Sequence, residues 1–473
     1  MTGKLKHAIT PLALSLALAG CVSLAPTYER PAAPVATSFP EPARAGGTGP
    51  AAATSEAATN IAWQRFFADA RLRQLIDLAL TNNRDLRVSI LNIEQARAAY
   101  RIQRAERLPT VSVAATGDRR TTGDDTPVSS IYTAGLGVSA FELDLFGRVR
   151  SLSEAALARF LATEEARIST HTSLVASVAN VYLQLLADEE LLALTEQTLK
   201  TREESHKLTQ LRFENGVVSA LDVQQSLSLV ENARATLAAQ QRQRAQDANL
   251  LTLLVGQPIP ESLPTGATLA ATELPDLPAG LPSDLLATRP DVRSAEQQLI
   301  AANANIGAAR ANFFPRISLT GTAGSASTEL SGLFEGGSFG WTFTPQAFLP
   351  IFDYGRNSAN LAGARAGRDI AVAQYERTIQ NAFREVADAL AGQATFAEQL
   401  RAQRAVAAAE AERFNLSDLR YRSGAASYLD LLDAQRSLFA AQQAAVQANL
   451  QRLQNQVTLY RVLGGGWSGT PAQ

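Results

Sequence analysis

Residues able to do chemistry are sparse in this chain and poorly placed for catalysis. Three histidines occur in 473 residues. His7 falls in an N-terminal segment that reads as removed on export. His171 and His206 fall on one long helical stretch, too far apart to converge. No Gly-rich phosphate loop, nucleophile elbow or ligand-spaced metal cluster is written in the sequence. Carboxylates are plentiful, but nothing pairs them in a pocket. The chain therefore reads as a non-enzyme without a metal site. Its reactive side chains gather instead in one stretch, Leu419 to Arg436. This stretch holds Tyr421, Arg422, Gly424, Leu429, Asp430 and Asp433. Asp430 stands three residues after Ser427, the spacing of a helix-capping box. Asp430 and Asp433 are also three apart, on one helix face.

That stretch is a helix–turn–helix, and it occurs twice. Gly216 answers Gly424, Ser219 answers Ser427 and Asp222 answers Asp430, each 208 residues earlier. A glycine able to take a left-handed conformation ends one helix, and a serine caps the next. The repeat extends much further. Leu108-Pro-Thr-Val-Ser-Val113 answers Phe314-Pro-Arg-Ile-Ser-Leu319. Phe146-Gly-Arg148 answers Tyr354-Gly-Arg356, and Val255-Gly256 answers Leu463-Gly464. Such a long period is a tandem duplication rather than a solenoid. Each half carries helix, strand, strand, long helix, tight turn and return helix.

Composition agrees with long, close-packed helices, because aromatics make up only 6% of the chain. A net charge of −2 implies no basic face for nucleic acid. At the N-terminus, Lys4 and Lys6 precede an apolar run, Leu12 to Ala19, which marks residues 1–20 as a signal peptide. Leu18-Ala-Gly-Cys21 resembles a bacterial lipobox. Cys21, the single cysteine, would then be lipidated as the first mature residue, with a diacylglycerol and an N-acyl chain and no other cofactor. Val22 follows it where inner-membrane retention signals place Asp, which favours the outer membrane.

Residues 22–60 read as an extended Pro- and Ala-rich tether. The parts expected are a tether and equatorial segment over 21–68 and a first repeat over 69–256. An equatorial linker follows over 257–283, then a second repeat over 284–464 and a tail over 465–473. In the first repeat, Asp69 to Arg107 reads as one helix, with strands within about 108–146. A polar loop is expected over Gly117–Pro127. The apolar phase flips between Val138 and Phe141, which predicts a bulge. In the second repeat the strands fall within about 314–352, with a Gly-rich loop over Ser325–Ser338. One strand face is apolar and carries Trp341 and Phe343. The other is small and polar. Strands of about ten residues suit a tilted bilayer crossing. Four strands cannot close a barrel in lipid, so several chains must contribute. No proline interrupts Arg150 to Phe213, giving a helix of ~95 Å. The return path is Ser219–Val255 plus Asp284–Phe313. The turns then lie at the end of the coiled coil far from the strands.

The lipobox, the duplicated plan, the two Gly-Arg junctions and the Tyr421–Arg436 stretch together resemble the outer membrane factors of tripartite efflux systems. The likeness is to the OprM-like, NodT-type lipoprotein branch of the TolC superfamily, and it covers the mature chain. It implies a mainly α fold with a small β part. The assembly would be a homotrimer with a twelve-stranded barrel in outer-membrane lipid and a twelve-helix barrel in the periplasm. A periplasmic adaptor and an inner-membrane RND-type transporter would be its partners. The function implied is a passive, gated exit duct for small molecules. The resemblance assigns gate roles to Asp222, Tyr421, Arg422, Leu429, Asp430 and Asp433, and turn roles to Gly216 and Gly424. A bond from Tyr421 to Asp222 between neighbouring coiled coils would hold the gate shut. Leu429 would form an apolar ring, and Asp430 and Asp433 acidic rings that attract cations. TolC-like proteins carry a further Arg where this chain has Ala426. Two other functions stay open: a TolC-like duct for protein or peptide secretion, and a lipid-anchored coiled-coil scaffold that conducts nothing. The cargo is not written in the sequence.

Overall fold

A computed structural model describes residues 23–40, 58–121, 127–277 and 286–467. Cys21 and the signal segment lie outside the described residues. The elements in chain order are α1 (Ala70–Asn82), α2 (Arg84–Ala105), β1 (Val111–Arg120), β2 (Ser129–Leu143), α3 (Arg148–Glu214) and α4 (Ala220–Val255). Then come α5 (Pro290–Ala311), β3 (Arg316–Ser327), β4 (Phe339–Phe348), α6 (Arg356–Arg422) and α7 (Tyr428–Val462). α3 and α6 each have 67 residues, so each is ~100 Å long. α4 and α7, the helices that return from them, have 36 and 35 residues. Among the described residues no helix is long and apolar enough to cross a membrane, which leaves the strands unaddressed.

The chain forms two compact units. One comprises Met1–Ala33, Leu91–Glu165 and Ser294–Thr378. Its centre is an antiparallel sheet in the order β1-β2-β3-β4. Val111 pairs with Val138, Phe141 with Leu319 and Ala323 with Trp341, so the period-two alternation gathers the apolar side chains on one face. That face is open: Trp341 is 72% exposed. On the opposite face Thr116 meets Thr133, and Thr322 meets Thr342, each at 2.6 Å. The register shifts between Val138 and Phe141, and Ala140 between them takes a φ of 49°. The phase flip in the sequence is thus a real bulge. β1 and β4 are edge strands, each paired on one side only.

Several expectations need correction. β1 runs on through Gly117–Arg120, and β3 through Ser325–Ser327, where loops were expected. The ladder to the neighbouring strand holds them, Arg120 pairing with Ser129 and Ser327 with Tyr132, and polar side chains do not break it. The helix expected over 69–107 is two helices. Asn83 takes an extended conformation at ψ 132°, donates its side-chain amide to Leu254 O at 2.9 Å and caps Leu86 N at 2.9 Å. The helix expected over 284–313 begins at Pro290, a residue suited to the first helical position because it has no N–H to satisfy.

Residues 23–30 are extended, as composition suggests, but they do not hang free. They lie along α5 as a strap. Arg310 donates to Leu24 O at 3.0 Å and Asn303 to Pro26 O at 2.7 Å. Arg30 forks onto both oxygens of Glu296 at 2.7 and 2.8 Å, and Tyr28 adds a bond at 2.9 Å. Glu296, Asn303 and Arg310 are spaced seven apart, two helical turns, so they form one polar stripe on an Ala-rich helix. Gly307 lies where a Cβ would strike Ala25 and the Ser151 hydroxyl, which lets strap and helix approach.

The second unit comprises Pro34–Ile90, Ala166–Arg293 and Ile379–Gln473. Phe66 stacks on Tyr460 with centroids 4.0 Å apart, and the Tyr460 hydroxyl donates to Ile61 O at 2.5 Å. Asp69 caps α1 and also accepts from Tyr182 and from Ala267 N, which ties the 257–277 connection to α1 and α3. Gln456 and Asn449 hold the same connection at Leu274 and Leu269. Both helical turns belong to this unit.

Candidate functional site at the helical turns

Each turn closes in the same way. Gly216 has φ 72° and Gly424 φ 77°. The amide after each glycine reaches back five residues, Val217 N to Arg212 O and Ala425 N to Arg420 O, both at 2.8 Å. This satisfies carbonyls that the helix end would leave open. Ser219 and Ser427 then start α4 and α7 through full capping boxes. Asp222 Oδ2 accepts from Ser219 N at 2.9 Å, and Asp430 Oδ2 from Ser427 N at 3.2 Å. Two of the three acids of the expected gate, Asp222 and Asp430, therefore cap helices. Each does so through Oδ2 alone, which leaves Oδ1 open to another donor.

The other site residues fall as follows. Arg422 pairs with Asp418 of its own helix at 2.8 Å. Asp433 forms an ion pair with Arg413 across the α6–α7 hairpin, so the charge expected on that face is partly balanced. Leu429 is 60% exposed and touches solvent. Tyr421 is only 6% exposed. Its ring packs with Leu229, Tyr428, Leu431 and Leu432, and the Arg212 guanidinium lies 4.5 Å above it. Its hydroxyl is buried with no hydrogen-bond partner. Asp222 and Tyr421 make no bond to each other within the chain.

The structure adds residues that the sequence did not single out. Tyr428 of α7 presents its hydroxyl to those of Ser205 and Thr209 on α3 and Ser226 on α4, and burial raises its pKa. Ser226 Oγ donates to Val223 O at 2.7 Å and lies 2.7 Å from His206 Nδ1. Arg202 is buried, donates to Leu229 O at 3.1 Å and lies 5.1 Å over the Phe439 ring. Burial and the nearby Arg436 both push its pKa down. Polar and cationic contacts thus join the α3–α4 hairpin to the α6–α7 hairpin in this unit. A comparison of the two copies could have found them. At the common offset Tyr428 answers Ala220 and Tyr421 answers Phe213, so the hydroxyls belong to one copy only. His171 lies elsewhere on α3, edge-on to Trp467, and burial lowers its pKa to about 4. Among the described residues no cluster of metal-ligating side chains occurs.

The chain matches the family described as outer membrane efflux protein over residues 75–257 and 281–465. It is 51% identical to a toluene efflux pump outer membrane protein of Pseudomonas putida, TtgC, over 96% of this chain and 95% of that protein. It is 48% identical to the outer membrane protein OprJ of Pseudomonas aeruginosa, over 97% of this chain and 96% of that one. Its fold is similar to the open state of the MtrE outer membrane channel of Neisseria gonorrhoeae. The TM-score is 0.85 at 41% identity, covering 94% of this chain and 98% of that one.

Proposed function

The chain belongs to the outer membrane efflux protein family, and on that premise we propose that it is the outer-membrane exit duct of a tripartite, RND-type efflux pump. It acts as a passive, gated channel for small molecules. One observation carries this furthest. The four-stranded sheet exposes an apolar face yet leaves β1 and β4 with open edges. Such edges are not tolerated in lipid, so the sheet requires more sheet on both sides. Three copies supply twelve strands, and their α3, α4, α6 and α7 segments, with α2 and α5, supply the walls of a helical tunnel.

Cys21 anchors the chain to the outer membrane through its acyl groups. A periplasmic adaptor and an inner-membrane transporter deliver the cargo. The names of the relatives, toluene and solvent efflux among them, favour small apolar organic compounds. At the turns, the open Oδ1 of Asp222 suits a bond from a neighbouring copy, which the buried Tyr421 hydroxyl reaches only once its side chain turns out of its own protomer's core. Arg422, Leu429, Asp430 and Asp433 would line the same constriction.

The test is reconstitution of the purified, acylated protein in planar bilayers. A small resting current that grows in Tyr421→Phe and Asp222→Ala supports the duct. A monomer that carries no current in any of the three forms sinks it. A deletion strain with unchanged tolerance of toluene would remove the apolar cargo while leaving the channel standing.

A further inference from the structure

Asp188 of α3 and Asp247 of α4 are buried against each other inside the α3–α4 hairpin, at 4% and 9% exposure. Their surroundings mirror one another. Gln184, one turn before Asp188, donates Nε2 to Asp188 Oδ1 at 3.0 Å. Gln243, one turn before Asp247, donates Nε2 to Asp247 Oδ2 at 3.0 Å. The Asp247 carboxyl faces Asp188, whose Oδ2 is buried with no hydrogen-bond partner. A carboxylate cannot donate to a carboxylate, so the contact needs a proton.

The charged groups around the pair do not neutralise it. Arg244 of α4 acts on Asp188, but its guanidinium is bound to Glu189 of α3 at 2.9 Å. A cavity of about 560 Å³ lies alongside, walled by Arg71 of α1 and by Glu189 and Glu190 of α3. Beyond Glu189, these add one acid and one base.

We propose that Asp188 and Asp247 share one proton and so make the α3–α4 hairpin respond to pH. With the proton in place the two acids form a charge-assisted O–H···O bond across the hairpin. Without it, two buried like charges face each other. Burial first, and then the bond to Asp247, raises Asp188 to about 6. An unfolded aspartate titrates near ~3.9. The folded pair thus holds a proton that the unfolded chain has already released. Its stabilisation is complete below about pH 4 and is lost as pH rises through about 6.

Hydrogen exchange tests this on the full-length protein, over residues 180–192 and 240–251, after correction for intrinsic pH dependence. Wild-type protection should fall about tenfold between about pH 5 and about pH 7.5, a factor of ten for each unit of displaced titration. Asp188→Asn should hold its protection throughout, because the asparagine amide replaces the shared proton at every pH. Flat wild-type protection, or an Asp188→Asn profile that still falls, overturns the proposal. Infrared difference spectra between wild type and Asp188→Asn give a second readout: a protonated-carboxyl band that only the wild type carries at about pH 5 and that is gone by about pH 7.5. Its absence at the lower pH overturns the proposal as well.

Discussion

The rings of Tyr421 and Tyr428 lie 5.5 Å apart and tilted by 54°, yet only one of the two hydroxyls has partners inside the chain. Tyr428 joins α7 to α3 and α4. Tyr421 offers a buried donor that nothing within the chain accepts. A buried hydroxyl without a bond costs free energy, so its removal leaves the protomer no less stable. Tyr421→Phe should therefore preserve the fold, and if the ring turns outward to a neighbouring copy when the assembly closes, the variant should also raise bilayer conductance. Tyr428→Phe should weaken the hairpin junction by about 1 kcal/mol. Exchange rates at Ser205–Thr209 would report that loosening, and unchanged rates would refute it.

Gly424 tests the turn itself. A Cβ there meets open space, so the cost of Gly424→Ala is backbone strain alone. At φ 77° that strain is about 1–2 kcal/mol. Limited proteolysis at the Ser423–Ser427 turn should accelerate by about tenfold or more. Equal cleavage of variant and parent would show that the left-handed turn is not needed.

The strap depends on Glu296. Glu296→Ala leaves Arg30 and Tyr28 without their shared acceptor. Glu296 is well shielded but Arg30 is half exposed, so solvent takes back part of the loss, and the net cost is about 1–3 kcal/mol. Residues 23–30 should become cleavable by protease while the sheet stays intact. Glu296→Gln should recover part of the protection.

Asp433 separates two roles. Its ion pair with Arg413 is exposed on both sides and contributes little stability. Asp433→Asn should leave thermal unfolding within about 0.5 kcal/mol of wild type. If the residue also forms a cation-attracting ring, the variant should lose block of channel current by divalent cations. Unaltered block would assign it to the surface pair alone.

Much of the fold could be read in advance because it is written in periodic signals. The phase flip after Val138 marked the bulge, and the repeated Gly–Ser–Asp spacing marked both turns. An unbroken run without proline marked α3. Features that depend on distant partners could not be read this way. Asn83 breaks a helix because its amide reaches Leu254 O, 171 residues away, while its Oδ1 caps Leu86 N three residues on. The strap hid in a segment whose composition suggests only a linker. Its partners, Glu296, Asn303 and Arg310, look like scattered polar residues until residues 23–30 are laid beside them. At the proposed gate, the resemblance pointed to Tyr421 and Asp222. The geometry adds that Asp222 also caps α4 and that Tyr428 makes the bonds within the chain.

The matched lengths of α3 and α6 constrain how such a gene can change. A single codon lost from either helix would turn every later side chain by about 100° around the axis and shorten that helix by ~1.5 Å. The sister helix, still at 67 residues, would no longer match it in length. Viable variants should therefore be edited in both halves together, or in blocks of whole turns, and solitary frame-preserving deletions within either helix should be purged.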